Sequence, residues 1–261
     1  MSKIAILYIA IGKYDRFWKG FYMSSETYFL PGFQKTYFVF TDSKHIKSDV
    51  QINTLPATDQ GWPFNTLNRF NYFHQLANQL SGYDYCFFFN ANTLFLKPVT
   101  PGEIIPAQEE SSLVHLSWFV ESNLEPAAYP YERNPASSAF IPVEKSHDYY
   151  MGGLYGGSTE AFLKMTDEVI SLIEMDKTNH IIAINNDESY LNKYLLDKRP
   201  RCLLKQYGRP EEWDTPNDPS IIFRQKEKVL GFFYLFRLKK KPLLYLLRQL
   251  YFRIKNLVKH S

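Results

Sequence analysis

The sequence predicts an α/β protein built on a mostly parallel sheet. Two observations carry this. Apolar runs of strand length alternate with helix-compatible stretches, and Lys3–Ala10 and Tyr83–Phe89 are apolar without alternation, as in strands covered on both faces.

KIAILYIA (Lys3–Ala10) opens the chain as a buried strand, Gly12 turns it, and Asp15–Phe29 is helix-compatible up to Pro31-Gly32. TYFVFTD (Thr36–Asp42) reads as a second strand and Val50–Leu55 as a third. Thr66–Leu80 is predicted as one helix, with Leu67, Phe70, Phe73, Leu76 and Leu80 spaced by three or four. Tyr83–Phe89 then runs into Asn90-Ala91-Asn92. In open α/β sheets ligands gather at the carboxyl ends of strands, where this polar tripeptide falls. From about Glu109 to Asp148 the chain is rich in Pro, Ser, Asn and Tyr, which predicts long loops with short strands, a kind of segment that usually serves function. Helices follow at Thr159–Met175 and Asp187–Leu196, and Pro200–Pro219, with four prolines, is expected to be irregular.

The 261 residues are 45% apolar, enough to bury a substantial core unaided by disulfides or metals. Cys86 and Cys202 form no metal-ligand spacing, which argues against structural zinc and for a reduced, cytoplasmic setting. The apolar run Ile4–Ile11 is too short to cross a bilayer, so neither a signal peptide nor an anchor is expected there. Aromatic residues, at 17%, suit sugar and base stacking and equally an aromatic core. Nine of the thirty Lys/Arg and none of the twenty-seven Asp/Glu fall in Lys228–Ser261, so a mildly acidic body carries a basic tail.

Six motifs stand in order: IAIGKY, YFVFTD, FFFNANTLF, YPYERNPASSAFIP, YYMGGLYGGS and NDESYLNKYLL. Together they resemble glycosyltransferase family 6, the family of the blood-group A and B transferases and their bacterial relatives, over roughly Ala5 to Lys228. The resemblance implies a GT-A fold: a Rossmann-like nucleotide-binding half (about 1–108) joined to an acceptor and catalytic half (109–228), with 229–261 as a basic amphipathic tail. It implies a retaining hexosyltransferase that moves N-acetylgalactosamine from UDP-GalNAc in α-1,3 linkage to a galactose-containing glycan, fucosylated or not. Galactose transfer from UDP-Gal is the alternative, and an inactive sugar-binding relative a more remote one.

By that resemblance Ile9, Ile11 and Tyr14 match positions that hold uracil, with Tyr14 stacking on the base; Ile9 and Ile11 also read as strand-end core residues. Asn90-Ala91-Asn92 stands where animal members carry the acidic DxD that binds Mn²⁺. Amide oxygens are poor ligands for a hard divalent cation, and this form resembles the bacterial members that work without metal. No metal cofactor is therefore expected, and the charge that offsets the departing diphosphate has to come from the chain. Arg224, Lys226 and Lys228 are the candidates, plain solvated charges being the alternative. Arg69 matches a family arginine beside the DxD, a partner for the Asn pair or the donor.

Glu188 is the expected catalytic carboxylate, forming a covalent glycosyl-enzyme or stabilising an oxocarbenium-like ion. Without the resemblance, Asp187 and Glu188 are also what a helix N-terminus favours. Asp187 matches a position that binds donor hydroxyls. Met151, Gly152 and Gly153 match the donor-selecting segment. Glycine at Gly153 leaves room for a 2-acetamido group, while Met151 is shared with the galactose-using blood-group enzyme.

On the acceptor side His115 matches the family's acceptor-binding histidine, a satisfied core histidine being the alternative, and Asn185 and Glu188 face the same substrate. Asn185-Asn186 replace the family's Trp-His, so the indole that packs on the acceptor is missing, and the segment between His115 and Tyr131 is longer than usual. In the tail Leu243, Leu246, Leu247, Leu250, Ile254, Leu257 and Val258 follow helical spacing among Arg248, Arg253, Lys255 and Lys259. This suits an interfacial helix on an anionic membrane surface, with a dimerisation helix or a nucleic-acid arm as alternatives; the leucine and aromatic content argues against nucleic acid. The expected setting is cytoplasmic, peripheral on the inner face of the cell membrane, with a lipid-linked or lipopolysaccharide glycan as acceptor.

Overall fold

The computed structural model describes residues 2–119, 124–145, 148–213 and 218–231. The basic tail helix expected beyond them lies outside the described residues. β1 (Lys3–Ala10) leads through a 3₁₀ turn, Gly12–Phe17, into α1 (Trp18–Tyr28), β2 (Gln34–Thr41) and β3 (Ile52–Pro56). Three short helices follow, α2 (Phe64–Leu67), α3 (Arg69–His74) and α4 (Ala77–Leu80), then β4 (Tyr85–Phe89), β5 (Thr93–Phe95), α5 (Pro101–Ile104) and β6 (Leu113–Leu116). The remainder comprises β7 (Met151–Ser158), α6 (Thr159–Thr178), α7 (Asp187–Leu195), β8 (Arg201–Leu203), β9 (Tyr207–Pro210), β10 (Ile221–Phe223) and α8 (Lys226–Leu230).

Seven strands form one sheet in the order β3-β2-β1-β4-β7-β6-β8, and a small sheet has the order β5-β10-β9. β1 pairs in parallel with both β2 and β4, so the chain fills one side of β1 and then crosses to the other. That reversal opens a crevice at the carboxyl ends of β1 and β4, the place where sheets of this kind bind ligands. β7 runs antiparallel to β4 and β6, making the sheet mixed. The apolar runs read from the sequence are the central strands, and Ile4 to Tyr8 and Phe87 to Phe89 are buried on both faces.

Strand β7, MGGLYGGS, carries four glycines in the middle of the large sheet, where glycine normally weakens a strand. At Gly156 the reason is close approach: a Cβ would stand 2.3 Å from Phe87 Cδ1 and 2.5 Å from the Cys86 carbonyl oxygen. In α6 the residues Phe162, Met165, Val169 and Ile173 recur every three or four positions on the buried side, and the Ser158 hydroxyl caps the start by accepting from the Ala161 N–H.

Two expectations change. The single helix over Thr66–Leu80 is three pieces, because Asn68 and Leu76 take ψ near zero. Asn68 Oδ1 accepts from Asn71 Nδ2 at 3.0 Å at the first break, and Arg69, the residue after it, is buried. Pro200–Pro219 is not wholly irregular, since β8 joins the large sheet and β9 the small one. Both strands are too short for periodicity to reveal, and their partners are remote in sequence.

Candidate active site

Two chambers meet at the crevice. The first, about 330 Å³, is lined by Ile9, Ile11, Tyr14, Asn90, Ala91, Asn92 and Phe88, with Asp59 and Asn65 opposite. The second, about 550 Å³, is lined by Met151, Gly152, Gly153, Asn185, Asn186, Asp187, Glu188, Trp118, Pro130, Ile184 and Phe223. Trp62, Thr66, Arg69, Asn90 and Lys226 border both, so the two are one continuous cleft.

Glu188 lies in the first turn of α7, entered through Asn186 at φ 53° and ψ −128°. That conformation is costly for a residue other than glycine, and such strain concentrates at functional sites. Its carboxylate is held at both oxygens: Tyr149 donates its hydroxyl to Oε1 at 2.6 Å, and the Gly152 N–H donates to Oε2 at 2.6 Å. Burial pushes the Glu188 pKa up to about 7, with these two hydrogen bonds pulling against it. Asn185 Nδ2 donates to the Tyr149 hydroxyl at 2.8 Å and to the Pro130 carbonyl at 2.7 Å. Glu132 ties the same turn down from behind, accepting from the N–H of Ile184 at 2.7 Å and of Asn134 at 2.8 Å.

Arg69 and Asp187 form a buried ion pair at 2.8 Å, and the same guanidinium nitrogen donates to the Gly152 carbonyl at 2.8 Å. Burial works against the Arg69 charge, but Asp187, Tyr155 and Glu188 together outweigh it and hold the guanidinium above its usual range. The pair thus links the start of α7 to the start of β7 across the cleft floor. Asn90 donates its backbone N–H to Gly153 at 2.8 Å. Asn92 is buried, and its Nδ2 donates to the Arg224 carbonyl while its own carbonyl accepts the Arg224 N–H, each at 2.8 Å. The second asparagine therefore binds the start of the C-terminal segment to the cleft.

Most residues expected at the site from sequence line this cleft, but three do not. His115 is fully buried in β6, stacked on Tyr155 at 5.6 Å and edge-on to Tyr150 at 5.7 Å. Burial lowers its pKa to about 3, so it is a neutral core histidine without access to an acceptor. Arg224 turns its guanidinium under the 3₁₀ turn, 5.5 Å from the Phe17 ring, and Lys228 is exposed on α8. Neither lines the cleft, whereas Lys226 does, with its Nζ 5.8 Å from the centre of the Tyr14 ring. Gly153 faces a filled space: a Cβ there would stand 2.7 Å from Phe223 Cζ and 3.2 Å from Asn90 Nδ2. Trp62, Thr66, Trp118, Tyr149 and Phe223 were not singled out in the sequence. Only Tyr149 had a signal, its place two residues before Met151 at the start of the YYMGGLYGGS motif.

The sequence model described as Glycosyltransferase family 6 matches residues 2–224, nearly all of the described fold. The chain belongs to glycosyltransferase family 6. As a family 6 glycosyltransferase it is a hexosyltransferase, and its large, mostly parallel sheet is that of a GT-A-like enzyme. The chain is similar to the O-antigen biosynthesis glycosyltransferase WbnI of Escherichia coli, 34% identical over 227 residues, covering 86% of this chain and 95% of that protein. It is similar to the histo-blood group ABO system transferase 1 of Rattus norvegicus, 31% identical over 236 residues, 85% of this chain and 64% of the relative. A globoside alpha-1,3-N-acetylgalactosaminyltransferase 1 of Gallus gallus is 29% identical over 234 residues, 84% of this chain and 64% of the relative. This glycosyltransferase thus spans nearly all of the bacterial relative and a little under two thirds of these animal ones. Among its described residues no helix is long and apolar enough to cross a membrane.

Proposed function

We propose that this glycosyltransferase moves N-acetylgalactosamine from UDP-GalNAc, with retention, in α-1,3 linkage onto a galactose-containing glycan, without a divalent metal. The observation that carries the reading is Glu188, a carboxylate held at both oxygens in the second chamber, beside a first chamber of nucleotide character. With uracil against Ile9, Ile11 and Tyr14 and the diphosphate near Asn90 and Lys226, the hexose falls in the chamber that Glu188 borders. A carboxylate there attacks the anomeric carbon, or stabilises the cation that forms, as the bond to the diphosphate breaks. Its raised pKa makes it the stronger nucleophile once ionised.

The metal-free reading rests on the donor set. Asn90 and Asn92 are uncharged: the Asn92 Nδ2 is engaged with the Arg224 backbone, and the buried, unpartnered Oδ1 that remains is a neutral amide oxygen, a poor ligand for a hard divalent cation. Lys226 is the residue to offset the diphosphate charge, since Arg69 is held by Asp187. A second donor, UDP-Gal, is favoured by one observation: the room that Gly153 leaves is taken by the Phe223 ring rather than by open space. The bacterial relative's role in O-antigen biosynthesis supports a lipid-linked or lipopolysaccharide acceptor, and the basic tail supports attachment to the anionic inner face of the membrane.

The test incubates the enzyme with UDP-GalNAc or UDP-Gal and a β-galactoside acceptor in EDTA, reading released UDP and the linkage of the product by NMR. The α-1,3 GalNAc product in EDTA is expected. Preference for UDP-Gal promotes the second reading, and activity abolished by EDTA and restored by Mn²⁺ overturns the metal-free one.

A further inference from the structure

Apart from the cleft there is a third cavity, about 360 Å³, that shares no lining residue with the two chambers. Helix α2 divides them. Asn65 and Thr66 border the cleft, while Phe64 and Leu67, three positions apart and so on one helix face, border the cavity. Ile182, from the segment that leads to α7, and the buried Tyr190 complete the apolar part. Phe64 keeps 45% of its surface exposed, more than an aromatic side chain with a settled place in the core. Amide side chains stand among these residues: Gln60, Asn68 and Asn71. Asn71 Nδ2 donates to Asn68 Oδ1 at 3.0 Å. Among the described residues that bond leaves Asn71 Oδ1 as an acceptor and Asn68 Nδ2 as a donor for a ligand.

We infer that this cavity is a second carbohydrate site, which takes a neutral hexose unit of a glycan outside the reaction cleft. The face of an aromatic ring is negative and attracts the weakly positive C–H hydrogens of a pyranose. An amide pair with one donor and one acceptor to spare matches neighbouring hydroxyls, each of which both gives and takes a hydrogen bond. Charge and polarity argue against other ligands. Lys177 borders the cavity but is paired with Glu174 at 3.0 Å, so a phosphate or sulfate would meet a carboxylate in the same wall. An acyl chain would cover the three amides without bonding them, which costs free energy. The inference goes beyond the transfer reaction and does not depend on which sugar is moved. A glycan held here keeps its other end near the cleft, which raises the local concentration of acceptor ends.

The test titrates the ¹⁵N-labelled whole chain, with UDP bound, with lactose and with galactose 6-phosphate. NMR follows the side-chain amides of Asn68 and Asn71 for the cavity and of Asn185 for the cleft. Lactose is expected to shift both groups of signals, and the phosphate to act more weakly on Asn68 and Asn71. Phe64→Ala and Asn71→Ala should each weaken the cavity response about tenfold, Phe64→Trp should hold it within about threefold, and the Asn185 response should stay as in the wild type. No lactose response at Asn68 and Asn71, a stronger one to the phosphate, or undiminished affinity in both Phe64→Ala and Asn71→Ala overturns the site. Should Phe64→Ala misfold, seen as loss of UDP binding, Asn71→Ala decides: wild-type affinity at Asn68 in that protein overturns it. A lactose response at Asn68 and Asn71 with none at Asn185 upholds the second site and counts against the galactoside acceptor of the proposed reaction instead.

Discussion

Tyr149 donates its hydroxyl to Glu188 Oε1 at 2.6 Å while receiving an N–H of Asn185 at 2.8 Å. The catalytic candidate is therefore held by Tyr149 and, through it, Asn185, while the nearby Asp187 and Arg69 charges act on it in opposite directions. Burial holds the Glu188 pKa at about 7 in the free enzyme, and each hydrogen bond to the carboxylate favours the ionised form.

The first prediction follows from that balance. If the ionised carboxylate is the active form, kcat/KM rises with pH through about 7, since that ratio reports the free enzyme. Tyr149→Phe removes a bond to the charged form, so the pKa moves further up and the acid limb shifts to higher pH by about one unit. A pH–rate profile for both proteins checks this, and coincident acid limbs would contradict it.

Glu188→Gln should lower kcat by about three orders of magnitude with UDP-sugar binding little changed, because the lost charge is felt mainly in the transition state. It should also stabilise the fold. The folded-state pKa, about 7, lies above the ordinary 4.5, so between those values the folded state holds a proton that the unfolded chain has lost. Stability contributed by the neutral carboxyl is full below pH 4.5 and is lost as pH rises through about 7. Above that window glutamine should exceed glutamate by on the order of 3 kcal/mol, and the gap should close in acid. Thermal melts at pH 8 and pH 4.5 measure it.

Gly153→Ala acts through Phe223. The added methyl would lie 2.7 Å from the ring, which has to move into the cleft or strain the small sheet. The expected outcome is a loss of about 1–3 kcal/mol of stability and a larger fall in kcat/KM for UDP-GalNAc than for UDP-Gal. Phe223→Leu in the same protein should recover much of both. Equal losses for the two donors would show that the segment does not select between them.

Lys226 and Lys228 are two positions apart, and only Lys226 borders the cleft. Lys226→Ala should lower kcat about 10- to 100-fold by removing charge from the diphosphate's side, while Lys228→Ala stays within twofold. Steady-state kinetics with saturating donor separates them. Similar losses in both would mean that α8 acts as a basic surface rather than through one side chain.

Removing residues 231–261 should release the protein from anionic vesicles and leave transfer to a soluble acceptor largely intact. Each Lys/Arg near such a surface contributes about 1 kcal/mol, so salt should weaken the attachment while the apolar positions sustain part of it. Flotation with vesicles of rising anionic content, with and without the tail, is the measurement. Equal flotation of the two forms would place the membrane contact elsewhere, and no flotation of either favours a dimerisation role, checked by sizing.

The strands and long helices were legible because their signals are local. Ile4–Tyr8 and Cys86–Phe89 are buried on both faces and so are apolar throughout, and α6 repeats its apolar side chains from Phe162 to Ile173 at helical spacing. The ordered motifs identified the family and pointed to Glu188, Arg69 and the Asn pair, which line the cleft. What the chain could not display is partnership across long separations. His115 is a buried core residue because Tyr150 and Tyr155 fold over it, and Lys226, not Arg224 or Lys228, meets the cleft because Asn92 anchors the backbone just before it. Trp118 enters the cleft because Ser117 and Phe119 are held on Tyr149. Composition and periodicity report how much of each residue is buried and on which face. Which neighbours a buried or half-buried side chain meets depends on strand order, register and turn geometry, and these are decided only when the whole sheet assembles.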